Sequence, residues 1–409
     1  MIVTHLSLAD YRNYAAAEVP MAPGANLFIG RNGQGKTNLV ESLGYLSTLG
    51  SHRVSTDQAL IRAGQESAII RARLHHAGRD LLAEVQINRH GPNRAQVNRG
   101  QIRPRELPRY FSSVLFAPED LGIVRGDPSG RRRFIDELLV QRAPRLAGIL
   151  GDYERTLRQR NSLLKSARAS GLRDRSLPTL DIWDDKLVAL GSEIIDERVR
   201  LIGALATPLQ DAYASVVGDD HRPALTPVLS IDGSDAEGDT DQPGAPVAGG
   251  GPVASGSSDD AAGTAARFRA ALDAVKRNEL DRGLTLVGPH RDDVLFELNG
   301  LPVKGYASHG ESWSFALALK LASAELLRRD SALGDPVLIL DDVFAELDQH
   351  RRARLAAAVA GYEQVLVTAA VEADVPAELV AHTVRIDAGR VIDESSPVQD
   401  APAWEQARG

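Results

Sequence analysis

Gly30-Arg31-Asn32-Gly33-Gln34-Gly35-Lys36-Thr37 puts three glycines, a lysine and a hydroxyl into one short run. That spacing suits phosphate chemistry. Glycines let successive backbone N–H groups curl around a phosphate, and a following helix points its amino terminus at the same charge. Lys36 would reach the terminal phosphates of a nucleoside triphosphate, and the Thr37 hydroxyl would ligate Mg2+. Residues 30–37 are therefore all candidate nucleotide contacts, with Lys36 also a candidate catalytic cation. The pattern alone would equally describe a plain strand–turn–helix connection. A strand expected over 25–29 and a helix over 37–49 supply the context that favours phosphate binding.

Such a loop needs a carboxylate to hold the metal through water. Pro336-Val337-Leu338-Ile339-Leu340-Asp341-Asp342 offers four apolar residues and then two acids at a strand's end. Asp341 reads as the magnesium ligand. Asp342 stands where a base or orienter for an attacking water belongs, so both are candidate catalytic residues. Without the upstream loop, the same run would read as a strand followed by a helix cap. Ser308-His309-Gly310-Glu311 precedes a helical run over 312–329. Ser308 and Gly310 at a helix amino terminus form a second anion site by geometry, or an ordinary serine cap. Roughly 300 residues separate Thr37 from Asp341. The two ends of the chain must therefore fold together around an insertion.

The elements that position these residues are legible in part. At 409 residues, the chain suggests two or three domains. Apolar residues at 43% and charged residues at 25% are ordinary for a globular protein. With no cysteine, disulfides and cysteine-ligated metals are excluded. The amino terminus lacks the pattern of a signal peptide, and the apolar runs are too short to span a membrane. The expectation is a soluble, cytoplasmic chain. The net charge of −8 hides an asymmetry: residues 1–175 carry +11 and the remainder −19. Two arginine-rich stretches account for this, 51–109 at +6 and 125–175 at +7. They point to a basic face for phosphates, or to solvated and paired arginines. Residues 233–264, with six acids and no Lys or Arg, read as a disordered loop. Alternation over 68–103 predicts antiparallel strands, with turns at 76–78 and 90–93. Strands are expected over 3–8, 284–287, 294–298, 337–340, 365–368, 384–387 and 391–393, and a hairpin turn at Asn299-Gly300. Helices are expected over 131–164, 180–206 and 312–329.

The parts in this order resemble the ATP-binding cassette superfamily, and within it the branch of structural-maintenance-of-chromosomes heads. The match is nearer still to the RecF family. It is carried by Leu8-Ala9-Asp10-Tyr11-Arg12-Asn13-Tyr14, by Phe116-Ala117-Pro118-Glu119-Asp120-Leu121, and by Arg131-Arg132-Arg133-Phe134-Ile135-Asp136. Gly288-Pro289-His290-Arg291-Asp292-Asp293 and 338–348 carry the rest. The resemblance implies an α/β P-loop cassette head assembled from both chain ends, with a largely helical arm inserted. The boundaries expected are 1–124 and 281–398 for the head, 125–280 for the arm and 399–409 for a tail. It further implies ATP and Mg2+ as ligands and Arg12 at the nucleotide. An ATP-dependent homodimer would close Ser308 of one protomer over the other's nucleotide. The DNA ligand would be gapped or carry a single-strand/duplex junction. Arg131, Arg132 and Arg133 are candidate contacts to it, or structural residues paired with Asp136 or Glu137. The implied role is repair, replication and the SOS response, in which RecO and RecR help load RecA. Three departures stand out. The loop reads Ser-His-Gly-Glu where Ser-x-Gly-Gln is commoner. Asp342 replaces the Glu of transport cassettes, and Val367-Thr368 stands where they carry a switch histidine. The last two imply slow hydrolysis, a weak ATPase used as a switch. The rival reading is a P-loop ATPase of metabolism or transport without a DNA role.

Overall fold

The computed structural model describes residues 1–170, 178–218, 221–233, 263–331 and 334–392. The loop expected within 233–264, the tail 399–409 and Asp393 lie largely or wholly outside these. Two compact units share the chain, Met1–Pro118 with Ser331–Gly409, and Glu119–Asp330. Residues 281–330 belong to the helical unit, whereas the sequence pattern places them in the head.

The first unit begins with a hairpin of β1 (Ile2–Tyr11) and β2 (Tyr14–Pro20), followed by β3 (Gly24–Ile29) and α1 (Lys36–Thr48). A meander follows: β4 (Ser67–His76), β5 (Arg79–Asn88), β6 (Arg94–Val97) and β7 (Gly100–Ile102), then β8 (Ser113–Phe116). In the second unit come α2 (Leu121–Arg125), α3 (Pro128–Arg142), α4 (Leu146–Ala169), α5 (Pro178–Val217) and β9 (Ala224–Val228). It continues with α6 (Thr264–Arg282), β10 (Asp293–Leu298), β11 (Leu301–Pro302), α7 (Val303–Tyr306) and α8 (His309–Asp330). The chain then returns to the first unit with β12 (Val337–Asp341), α9 (Gln349–Val359), β13 (Gln364–Ala369), β14 (His382–Asp387) and β15 (Arg390–Ile392).

The first unit layers two sheets. One runs β2-β1-β4-β5-β6-β7 and is antiparallel throughout. Its period-2 pattern is clean: Ala68, Ile70, Ala72 and Leu74 are buried while Arg73 between them is exposed. The other runs β15-β14-β3-β13-β12-β8, parallel except for β15. Every residue of β12 and β13 is buried, which is why both read as continuous apolar runs. Leu6, Leu8, Ile70 and Val85 of one sheet join Phe28, Ile339 and Leu366 of the other, with Leu39 and Leu43 of α1, in one core. In the parallel sheet β13 lies between β3 and β12, so the loops after all three open at one sheet edge, where ligands of such sheets bind.

The second unit packs helices around Tyr153, Leu187, Ile194, Phe268 and Leu272. Here two expectations change. The helix expected over 131–164 is two helices, because Pro144 excludes the helical region for Ala143, which sits at φ −136° and ψ 82°. Residues 284–287 are not a strand. Their backbone N–H groups go elsewhere: Thr285 to Asn161 Oδ1 (2.8 Å), Leu286 to Glu279 Oε1 (2.8 Å). The 180–206 helix continues through Pro208 to Val217. Among the described residues no helix is long and apolar enough to cross a membrane.

Candidate nucleotide site

β3 ends at Ile29, and the loop 30–35 turns directly into α1. Gly35, at the start of α1, has φ 113° and tolerates no side chain: a Cβ there would fall 2.6 Å from Asn13 Nδ2 and 2.9 Å from the Tyr14 hydroxyl. At Gly30 a Cβ would meet the Ile386 carbonyl oxygen at 2.2 Å. The loop is thus pinned between the β1–β2 hairpin and the β14–β15 hairpin. Tyr14 donates to the Gly35 carbonyl (3.0 Å) and Asn13 Nδ2 to the Gln34 carbonyl (3.1 Å). From the other side, Gly389 N–H donates to the same Gln34 carbonyl (3.0 Å), and Ala388 N–H donates to the Gln34 side chain. A phosphate cradle works only if its N–H groups are fixed before the ligand arrives, and these contacts fix them.

Lys36 is 3% exposed. Its Nζ donates to the carbonyls of Gly30 (2.8 Å) and Arg31 (3.3 Å), which use two of its three hydrogens and leave one for a phosphate oxygen. Arg31, Asn32 and Gly33 form the exposed rim of the loop. Thr37, expected as a metal ligand, donates from Oγ1 to Asp341 Oδ1 at 3.1 Å. A hydroxyl and a carboxylate converging from two elements are the hard oxygen donors that Mg2+ takes alongside water and phosphate, so the residues fit that ion.

Thr368, at the end of β13, went unremarked as a site residue except as the absence of a histidine. It is fully buried. Its hydroxyl donates to Asp341 Oδ1 (2.5 Å) and accepts the N–H of Asp342 (2.9 Å). One side chain thereby anchors both acids. Asp342 is held at φ 52°, a left-handed conformation that Asp tolerates better than most residues.

Arg12 lies close by but is already engaged. Its Nε and Nη2 donate to Glu41 Oε2 (2.9 Å) and Oε1 (2.7 Å), and Nη1 donates to the Ala59 carbonyl (3.1 Å). Burial opposes charge on Glu41, but hydrogen bonds from Arg12 and Ser51 outweigh it and hold the carboxyl below its usual range. Arg12 thus fastens the β1–β2 corner to α1. Glu41 was missed; its one signal was an acid one helical turn beyond Thr37.

In the second unit, Ser308 and Glu311 form a capping box. Ser308 N–H donates to Glu311 Oε2 (2.8 Å) and Glu311 N–H to Ser308 Oγ (3.2 Å). This explains glutamate in place of the commoner glutamine: its charge is spent on a helix terminus. The Ser308 oxygen accepts here, so its own hydrogen is not consumed by the cap.

The triplet 131–133 needs correction at Arg131. Arg131 is 6% exposed and forms a two-pronged ion pair with Asp293, Nε to Oδ1 at 2.7 Å and Nη2 to Oδ2 at 2.8 Å. Arg132 donates to the Asp292 carbonyl (2.7 Å). Arg131 pairs with neither Asp136 nor Glu137; Asp136 is taken by Arg198, and Arg133 sits beside Glu137 at 3.5 Å, one of the pairings the sequence allowed. Arg131 is a core residue, since a guanidinium satisfied on both prongs and shut from solvent has nothing left for a DNA phosphate.

A braced phosphate loop, a two-acid strand beside it and a capped serine helix in a second unit define a P-loop ATPase head of the ATP-binding cassette type. The family described as RecF/RecN/SMC N terminal domain matches residues 2–386. A DNA replication and repair protein RecF of Leifsonia xyli subsp. xyli is 66% identical over 395 residues, which cover 97% of this chain and 100% of that one. Its counterpart in Clavibacter michiganensis subsp. michiganensis is 65% identical, covering 98% of each. A solved structure of the recombination mediator protein RecF with ATP superposes with a TM-score of 0.80 at 26% identity, over 95% of this chain and 96% of that one. The chain belongs to the RecF family.

Proposed function

We propose that this chain is an ATP-operated DNA-binding protein of recombinational repair and replication restart. The observation that carries the reading is the Thr37–Asp341–Thr368–Asp342 constellation on a loop braced from both sides, in a chain of this family. ATP with Mg2+ is the ligand the site accepts. Lys36 and the loop N–H groups would hold the phosphates, Thr37 and, through water, Asp341 would hold the metal, and Asp342 would orient the attacking water. The shorter acid and the threonine at the histidine position favour slow turnover, which suits a timing switch. One chain carries one phosphate loop and one serine helix, so two chains would complete two sites by symmetric exchange. Loss of the γ-phosphate would release the Ser308 contact and open the dimer. The DNA ligand is gapped or carries a single-strand/duplex junction, and the setting is cytoplasmic loading of RecA with RecO and RecR.

The test is fluorescence anisotropy of a labelled gapped duplex, in ATP·Mg2+ and in ADP·Mg2+ at one fixed salt concentration. Much tighter binding with ATP is expected. Equal, weak binding in both would leave an ATPase without a DNA role and favour the metabolic reading.

A further inference from the structure

The arginines of the two rich stretches divide: in the first, Arg53, Arg62, Arg71 and Arg89 are engaged by protein groups. In 125–175 the described arginines are engaged by protein groups: Arg131 by Asp293, Arg142 by Asp330, Arg145 by Glu193 and Glu197, and Arg160 by Asp184 and Glu279. In 94–109 they are not. Arg94, Arg99, Arg103, Arg105 and Arg109 are all exposed, with one acid, Glu106, in the same sixteen residues. Among the described residues none of the five makes a side-chain hydrogen bond or ion pair.

The fold gathers them. Ala95, opposite Ile102, faces the core, so Arg94 and Arg103 stand on the outer face at one end of the β6–β7 ribbon. Arg99 occupies its tip, in a two-residue turn with Asn98 at φ 50° and Arg99 at φ 67°, the geometry of a tight hairpin. Arg105 and Arg109 follow on the 3-10 turn Pro104–Arg109, which packs against β6 and α1. Gln86, Gln96 and Gln101 share the outer face with Glu84, whose charge is already met by Arg71. An isolated cluster of cations raises the local potential and costs self-repulsion unless an anion relieves it.

We propose that this edge of the antiparallel sheet is a binding surface for the phosphate backbone of duplex DNA. Guanidinium and amide donors on a face without an exposed aromatic anchor match a phosphodiester strand; a protein partner would call for an apolar centre. The proposal rests on the DNA-binding reading above and assigns it a place. The surface is sequence-independent, because it offers backbone contacts and no element shaped for a groove.

The test replaces all five arginines with glutamine in the full chain. Duplex binding is measured by anisotropy in ATP·Mg2+ across a salt series, and nucleotide affinity by a fluorescent ATP analogue. The expected result is at least tenfold weaker DNA binding. The dependence of log K on log salt should flatten by three or more units, at ~0.9 per lost phosphate contact, with nucleotide affinity unchanged. Unchanged DNA affinity and salt slope would overturn the assignment and leave the arginines as guards of an edge strand or as contacts for an acidic protein. If the parent chain itself fails to bind DNA, the functional reading falls first. Should the fivefold variant aggregate, Arg94→Gln/Arg99→Gln and Arg105→Gln/Arg109→Gln are read separately, each expected to flatten the slope by about one to two units.

Discussion

A single hydroxyl sets the geometry of both acids. Thr37 and Thr368 converge on the same oxygen of Asp341, but their tasks differ. On the proposed reading Thr37 would turn to the metal when nucleotide binds, whereas Thr368 would go on holding the carboxylate and, by accepting the Asp342 N–H, the left-handed Asp342. Replacing Thr368 by valine keeps the shape and deletes both bonds. We expect Thr368→Val to weaken Mg2+-dependent nucleotide affinity on the order of tenfold, about 1.4 kcal/mol, the size of one hydrogen bond to a charged group. Thr368→Ser should restore most of it. The readout is a Mg2+ titration against a fluorescent ATP analogue; valine and serine behaving alike would refute the role. A purely packing effect would lower thermal stability and leave the Mg2+ dependence unmoved.

At the scale of elements, the loop 287–293 holds the second unit together. Arg198 donates to the Pro289 carbonyl (2.6 Å) and pairs with Asp136 on α3, while Ser230 N–H and hydroxyl both donate to Asp292 Oδ1 (2.9 Å each). His290 is wedged beside the Tyr153 hydroxyl (2.8 Å) and is pushed down to about 3, by burial first and then by nearby arginines. Its folded value lies below its unfolded one, so its stabilising contribution is complete above pH ~6.5 and is lost as pH falls toward 3. Burial raises the carboxyls of Glu279 and Asp292, which tilts stability the other way. The His290 part therefore appears as a difference: between pH 7 and 4, chemical unfolding of the parent chain should lose on the order of a few kcal/mol more than that of His290→Asn. Parallel pH profiles would show that this ring carries no proton linkage.

The same loop marks what the sequence could show. The phosphate loop and β12 were legible because each is one short contiguous pattern tied to one chemistry. So were the meander β4–β7 and α8, whose periodicities are local. Residues 284–287 looked like a strand because their apolar pattern is real, but side chains of Asn161 and Glu279 take their backbone donors. The break at Pro144 was visible and outweighed by helical spacing on both sides. β9, with Pro227 inside it, pairs only as the edge of a small sheet, a context no local pattern announces. The partners of Arg131 and Arg12 lie 162 and 29 residues away, so whether an arginine meets DNA or a carboxylate is a tertiary fact.

At the scale of the whole molecule, the proposed switch makes one demand that the backbone allows to be tested cleanly. Asp342 sits at φ 52°, where most substitutions would strain the chain and confuse lost chemistry with lost structure. Asparagine tolerates that conformation and matches aspartate in size, so Asp342→Asn removes the charge and keeps the Thr368 anchor on the backbone. If nucleotide joins two protomers through Ser308, and Asp342 serves only the step that ends that state, this variant should bind ATP with parent-like affinity and then stay dimeric. Sedimentation velocity in ATP·Mg2+ should show a dimer that persists over hours, while the parent dimer decays at its hydrolysis rate. Adding Ser308→Arg, which places bulk and positive charge at the contact, should return the variant to monomer without loss of nucleotide binding. A variant that saturates with ATP and remains monomeric would sink the shared-site mechanism, and the serine helix would then be no more than the capped terminus its hydrogen bonds already make it.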